Sequence, residues 1–287
     1  MRSNFKDECK QLINLAIKED CPINDITVST FFNSQNTVSA KLISKQNGIF
    51  FGKSIIQLIF EMYAQQSNVK FFINDGDHLS KKDVICTITC DQNTLLLVER
   101  TMLNIVQRLC GISTLTHTFI KRLNNPKITI CDTRKTTPGL RFLEKEAVKV
   151  GGGTNHRFNL SDMILIKENH LKVIIEEGNL KNLSTKIIDA KKKSPGLKAE
   201  IEIETLDQLK TYKLEAFDYI LLDNFDLKTL SKAISLCRDS YPHIQIEVSG
   251  NVNLDTIHTY APFDIDRISI GALTHSVNAF DISLLVD

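Results

Sequence analysis

The chain has 287 residues, 42% hydrophobic and 24% charged, with 35 Lys and Arg against 34 Asp and Glu for a formal net charge of +1. That length supplies a full core for one large domain or two modest ones, while the charge balance excludes a general nucleic-acid or membrane-surface binder, which needs a one-sided excess of cations. The seven cysteines are scattered, with no CxxC pair and no histidines at zinc spacing, and no run approaches the ~18 apolar residues of a membrane span, so the expectation is a cytoplasmic protein with reduced thiols.

Phe5, Cys9, Leu12, Ile13, Ala16 and Ile17 recur at helical spacing and predict an amphipathic helix that stops near Asp20-Cys21-Pro22. VSAKLISKQNGIFFG then alternates and turns at Gly48 and Gly52, residues 54–64 read as a helix, and VKFFINDGDHLSKKDVICTITC holds two strand-like runs around an Asp75-Gly76-Asp77 turn. The expectation is a small α/β sandwich of roughly a hundred residues. Residues 95–123 read as one long helix, or two hinged at Gly111, joining this part to the next.

Beyond it the pattern changes. The apolar runs ITICD, MILIK, AEIEIE, DYILLD, IQIEVSG and DRISIG alternate with helical stretches at 140–150, 182–192, 206–214 and 227–237. Repeated β-then-α units build a parallel sheet, here curved into a barrel. Near their carboxyl ends the runs carry Thr133-Arg134-Lys135, Lys167, Glu202, Asp223, Ser249-Gly250 and Gly271. Barrel active sites are assembled from such positions.

Arg and Lys side chains converging with His156-Arg157 hold carboxylates or phosphates by charge-assisted bonds, and Arg adds planar two-point recognition. SGN and IGAL bring small residues that let backbone N–H groups approach a phosphate, each ahead of a helix whose amino terminus favours an anion. Glu202 and Asp223 suit Mg²⁺ with its waters, sugar hydroxyls or a developing cation. Together these imply a phosphorylated sugar and an acidic co-substrate. Arg141, Lys145 and Lys149 read as solvated charges on the 140–150 helix, and His78, His117, His243 and His258 as structural. Gly151 serves equally as a helix cap or a ligand contact, and His170 is undecided. Glu200 and Glu204 share a strand face with Glu202, so pattern alone does not choose among the three.

VERTMLNIVQRLCGISTLT, DTRKTTPGLRFLEKEAVKVGGGTNHRFNLSDMILIKENH, EIEIETLDQL, YILLDN, EVSGNV and RISIGALTHSVNAFDISL, in that order and across nearly the whole chain, resemble quinolinate phosphoribosyltransferase. The resemblance implies a type II phosphoribosyltransferase: an N-terminal α/β sandwich over residues 1–111, rejoined by a tail at 273–287, and an incomplete α/β barrel over 112–272. It implies a pentosyltransferase that joins quinolinate to phosphoribosyl pyrophosphate with Mg²⁺ and releases nicotinate mononucleotide, pyrophosphate and carbon dioxide. By motif position, Arg134, His156, Arg157 and Lys167 bind the quinolinate carboxylates, with Thr133 and Lys135 beside them. Arg100 reaches in from a partner subunit of a homodimer or hexamer. Glu202 and Asp223 lie near ribose and metal, and Ser249, Gly250, Asn251, Ile270, Gly271 and Ala272 form the phosphate loops. The resemblance assigns Lys135, Glu202 and Asp223 to catalysis and names no general base. Two departures stand out: Asn251 occupies a place where the family usually has Gly, and Pro262-Phe263-Asp264 replaces a small-residue turn. A related type II transferase acting on nicotinate or another base, and a non-catalytic sensor of a phosphorylated ligand, remain alternatives; a sensor has no use for transition-state groups such as Lys135, Glu202 and Asp223.

Overall fold

A computed structural model describes residues 4–32, 36–64 and 66–287. In chain order its elements are α1 (Phe5–Asp20), α2 (Ile26–Phe31), β1 (Thr37–Ser44), β2 (Gly48–Ile49), α3 (Lys53–Tyr63), β3 (Asn68–Phe71), β4 (His78–Leu79), β5 (Val84–Asp91), α4 (Gln92–Leu123), β6 (Thr129–Cys131), α5 (Arg141–Val150), β7 (Met163–Ile166), α6 (Glu168–Glu176), α7 (Leu183–Lys193), β8 (Lys198–Ile203), α8 (Leu206–Thr211), β9 (Tyr219–Asp223), α9 (Leu227–Ser240), β10 (Gln245–Ser249), β11 (Arg267–Ser269), α10 (Ala272–His275) and β12 (Ile282–Val286). They form two compact units. The first comprises Met1–His117, Thr137–Gly152 and Ser276–Asp287; the second comprises Thr118–Thr136 and Gly153–His275.

In the first unit β12, β1, β5 and β3 lie side by side in an antiparallel sheet, so the chain's last strand pairs with its first. Ala40, Leu42 and Ser44 of β1 alternate as buried residues, the pattern of a sheet with one face in the core. The Asp75-Gly76-Asp77 turn does more than reverse the chain: Asp75 Oδ1 accepts the N–H groups of Gly52 and Lys53 at 2.8 and 2.9 Å, capping the amino end of α3. No hinge interrupts α4 at Gly111. A Cβ there would collide with the Asn278 carbonyl, so close packing against the tail explains this glycine.

Residues 137–152, placed with the barrel from sequence, cluster with this first unit. The reason is a set of specific contacts: the Arg108 guanidinium lies 2.6 Å from buried Glu144, the Ser113 hydroxyl donates to the Ala147 carbonyl at 2.9 Å, and Phe142 sits edge-on to Phe5. Lys145 corrects a second expectation. It is 1% exposed rather than solvated, because Leu143, Glu144, Lys145, Ala147 and Val148 are all buried and α5 is covered over more than one face.

The second unit holds a six-stranded parallel sheet in the order β6-β11-β10-β9-β8-β7. The first strand pairs with the last, as in a barrel, but β6 and β7 remain edges and the barrel is incomplete. β8 is buried from Ala199 to Ile203, as a parallel strand covered on both faces should be. α6 follows β7 directly, a helix the sequence pattern does not reveal.

Candidate active site

Each strand of the parallel sheet brings polar groups to its carboxyl end, and those groups line a cavity of about 650 Å³. Thr133, Arg134, Lys135, His156, Arg157, Lys167, Glu202, Asp223, Ser249, Gly250, Asn251, Ile270, Gly271 and Ala272 all border it. That volume suits a small-molecule ligand. Arg100 is not among the lining residues; it is exposed on α4 in the first unit.

The cationic wall starts after β6. Asp132 is fully buried and its Oδ1 accepts the His156 N–H at 2.9 Å, tying the Thr133–Lys135 segment to the loop that carries Arg157. The Thr274 hydroxyl donates to the Lys135 carbonyl at 2.8 Å and steadies the segment from the other side. Arg157 anchors one guanidinium N–H on the Met163 carbonyl at 3.1 Å. The Nε atoms of Arg134 and Arg157 are buried without a hydrogen-bond partner among the described residues. Burial first, and then the Arg134 charge, lower the pKa of Arg157. Two guanidinium groups near enough to repel each other, each with donors to spare, suit an anion.

Lys167 and Glu202 link the two sides of the cavity through an ion pair of 2.7 Å. Lys167 also opens α6, and its backbone N–H donates to His170 Nδ1 at 3.1 Å, which makes His170 a helix-capping residue. Asp223 is held from two directions. It accepts from the Ser249 hydroxyl in a very short bond and from the Asn224 amide at 2.6 Å. Carboxylate oxygens of Glu202, Glu204 and Asp223 lie within 4.8 Å of one another. Burial, followed by the charges of Glu168, Glu202 and Asp223, raises the pKa of Glu204, so this corner of the cavity favours a cation.

The loop after β10 places its one glycine, Gly250, at φ +96°, and a Cβ there would collide with the Asn224 side chain. Asn251 takes φ +53°, a conformation Asn tolerates, and its side-chain Nδ2 donates to Asn224 Oδ1 at 3.4 Å. The α-helix expected behind SGN is not there. Asn253 Oδ1 instead accepts the N–H groups of Asp255 and Thr256, and the chain reaches only a 3₁₀ turn at Ile257–Tyr260, so no α-helix amino terminus backs this loop. Gly271 is followed by the four-residue α10, and a Cβ on it would meet His275 and Lys135.

Beneath the cations lies a charged layer that the sequence reading does not identify. His156 Nε2 is 2.9 Å from Glu200 and 3.5 Å from Glu247, and Arg267 pairs with Glu200 at 3.0 Å and with Glu247 more closely still. Both glutamates are fully buried, and the Arg267 guanidinium lies 3.7 Å from the centre of the Tyr219 ring. Burial alone would raise the Glu247 carboxyl, but the His156 hydrogen bond and the Arg267 charge hold it down at about 2. Burial and then Glu247 raise Glu200. Strand periodicity carries a signal for this layer: Glu247 lies two residues before Ser249, Glu200 two before Glu202, and Arg267 two before Ser269, so each shares a face with a lining residue one pleat higher. Burial holds the nearby Cys131 thiol up at about 12, which removes it as a nucleophile.

Comparison with known proteins agrees with this geometry. The chain matches the family models "Quinolinate phosphoribosyl transferase, C-terminal domain" over residues 112–285 and "Quinolinate phosphoribosyl transferase, N-terminal domain" over residues 25–110. It is 37% identical over 277 residues to a probable nicotinate-nucleotide pyrophosphorylase [carboxylating] of Bacillus subtilis, covering 96% of this chain and 93% of that one. A nicotinate-nucleotide pyrophosphorylase [carboxylating] of Mycobacterium leprae is 34% identical, with 97% of each chain covered. Among solved structures, NadC from Streptococcus pyogenes superposes with a TM-score of 0.86 at 34% identity, over 96% of this chain and 95% of that one.

Proposed function

Since the chain belongs to the quinolinate phosphoribosyltransferase family and transfers the phosphoribosyl group of phosphoribosyl pyrophosphate to quinolinate, with loss of carbon dioxide, in NAD biosynthesis, we propose that the cavity works by holding a doubly anionic pyridine between a cationic wall and an acidic one. The observation that carries this reading is that Arg134 and Arg157, whose Nε atoms have no protein partner among the described residues, border the same cavity as Glu202 and Asp223.

In this reading Arg134, Arg157 and Lys167 take the two carboxylates, and Lys135 and Thr133 close the same side. Their fixed charges position the pyridine nitrogen against the anomeric carbon, so that little freedom is lost when the reaction begins. As the carbon–oxygen bond to pyrophosphate breaks, the anomeric carbon gains positive charge. Glu202 and Asp223 stabilise that charge more in the transition state than in the ground state, which is what accelerates the step. Asp223 suits the task because Ser249 and Asn224 fix its direction. The pyridine nitrogen supplies the electron pair for the new bond. The cationic ring then accepts the pair left by the departing carboxylate, which becomes carbon dioxide; a proton fills the vacated ring position. Backbone N–H groups of the Ser249–Asn251 and Ile270–Ala272 loops receive the 5′-phosphate.

Mg²⁺ fits this donor set. Glu202, Glu204 and Asp223 offer only oxygen atoms, close together, and Glu202 and Asp223 border the cavity, as a hard divalent ion requires. The ion would neutralise the leaving pyrophosphate. Lys167 already sits on Glu202, so the carboxylates need reach the ion only through water or substrate oxygens.

We further propose a homo-oligomer in which exposed Arg100 completes a neighbouring site, and a cytoplasmic location, for which no helix among the described residues is long and apolar enough to cross a membrane. The test of the chemistry is direct. Purified protein given quinolinate, phosphoribosyl pyrophosphate and Mg²⁺ forms nicotinate mononucleotide and carbon dioxide in equal amounts, and nicotinate competes poorly because one carboxylate leaves part of the cationic wall unpaired. Equal use of nicotinate, or no product, overturns this account of the cavity.

A further inference from the structure

The layer of charge at the floor of the cavity, which Glu247 borders, has no task in the mechanism above, yet it is costly to build, because two carboxylates and a guanidinium are removed from water together. His156 is the connection between this layer and the substrate wall. Its backbone N–H donates to Asp132, its Nε2 faces Glu200, and its Nδ1 accepts the Arg157 backbone N–H at 2.8 Å. That last bond fixes the start of the Arg157 side chain. It also requires a lone pair on Nδ1, so a doubly protonated ring cannot make it. Burial opposes such a ring, but Glu200 and Glu247 outweigh burial and raise the ring's pKa to about 9, which favours a second proton; a proton on Nδ1, however, would point straight at the Arg157 N–H 2.8 Å away, so the hydrogen-bond geometry selects the form with its single proton on Nε2.

What allows a neutral imidazole to sit between two buried glutamates is a cation placed beside them. The Arg267 guanidinium spans Glu200 and Glu247 and is itself clamped over the Tyr219 ring. A carboxylate oxygen of each glutamate and a ring nitrogen of His156 lie within 4.8 Å of one another, a cluster able to hold a metal ion, but Arg267 supplies positive charge from within the protein. We propose that Arg267 is a positioning residue: with Glu200 and Glu247 it forms a fixed ion cluster that holds His156 as a hydrogen-bond acceptor and so places Arg157 for carboxylate binding. His156 then acts through Arg157 rather than as a cation on the substrate. The inference rests on the cavity reading given above and refines it.

The experiment uses the full-length enzyme with Arg267→Met and Arg267→Lys, measuring kcat and KM for both substrates, together with the ¹⁵N NMR signature of His156 assigned by its loss in His156→Asn. The expected result for Arg267→Met is a rise in KM for quinolinate of about tenfold or more, since displacement of a positioned group by about 1 Å weighs heavily on a site of this kind. KM for phosphoribosyl pyrophosphate should stay within roughly twofold, because the phosphate loops depend on their own backbone. Arg267→Lys restores charge and should recover most of the loss. In the wild type, His156 shows one protonated and one unprotonated nitrogen at neutral pH. The proposal is overturned if both KM values rise together, if Lys rescues no better than Met, or if wild-type His156 carries two ring protons. Should Arg267→Met fail to fold, the Lys variant and the wild-type nitrogen signature still decide. A wild type that makes no nicotinate mononucleotide would instead refute the cavity reading and leave the His156 signature as a separate result.

Discussion

Arg157→Ala removes the cation with the clearest unmet bonding capacity. One of its guanidinium N–H groups is committed to Met163, the Nε is buried without a partner among the described residues, and the side chain borders the cavity, so a carboxylate gains at least one charge-assisted bond from the remaining guanidinium donors. Such a bond contributes about 1.5–3 kcal/mol. Two features push the value toward the lower end: Arg157 is only partly buried, and its removal relieves repulsion with Arg134. A loss of about 1.5–2 kcal/mol lowers kcat/KM for quinolinate roughly ten- to thirtyfold at 1.36 kcal/mol per decade. Arg157→Lys should fall in between, since it keeps the charge and loses the planar fork. The assay is initial-rate kinetics with phosphoribosyl pyrophosphate saturating and quinolinate varied. A kcat/KM within twofold of wild type for the alanine variant would remove Arg157 from the substrate wall and refute the reasoning.

Glu202→Gln and Asp223→Asn should lower kcat by a factor on the order of a hundred with little change in KM for quinolinate, because their stabilisation is greatest in the transition state; a loss confined to KM would contradict that role. Gly250→Ala puts a Cβ at positive φ into Asn224 and should destabilise the protein by more than about 1 kcal/mol in denaturant unfolding, whereas Asn251→Gly should keep activity within about twofold, and the reverse order would remove the loop's conformational role. Asp218 has a lowered pKa: burial would raise it, but Lys191, the Ala199 N–H and Lys198 outweigh burial. A depressed folded-state value means stability that is present above its ordinary value of 3.8 and is lost as pH falls through the folded-state value, so the melting-temperature gap between wild type and Asp218→Asn should be widest near neutral pH and shrink below pH 4; a constant gap would show that the pairing contributes nothing. Mixing Arg100→Ala chains with Lys135→Ala chains should recover part of the activity that each lacks alone, and no recovery would mean that Arg100 does not serve a neighbour's site.

Much of this arrangement can be read from sequence because parallel strands report themselves. Each apolar run ends in a polar or glycine residue, and the residues so marked, from Thr133 to Ala272, border one cavity. Strand period also relates Glu200 to Glu202 and Glu247 to Ser249, but period alone does not tell which member of a pair reaches the ligand and which lies below it. That depends on depth along the strand. Arg267 is harder still to recognise, because its partners, Glu200 and Glu247, lie on two other strands and only the sheet order brings them together. Lys145 illustrates the opposite error: a charged residue on an amphipathic helix is expected in solvent, yet α5 is covered on more than one face. The missing helix after Asn251 was hidden by local chemistry, since Asn253 and Thr256 bond their own backbone more readily than they start a helix.

The central claim is that Arg134, Arg157 and Lys167 together hold a pyridine dicarboxylate opposite Glu202 and Asp223. A crystal structure of the protein with bound quinolinate tests it most directly. The account predicts both carboxylates within hydrogen-bond distance of those three cations, with the ring nitrogen turned toward the acidic pair. Quinolinate bound outside this cavity, or within it with its carboxylates facing Glu202 and Asp223, would contradict it.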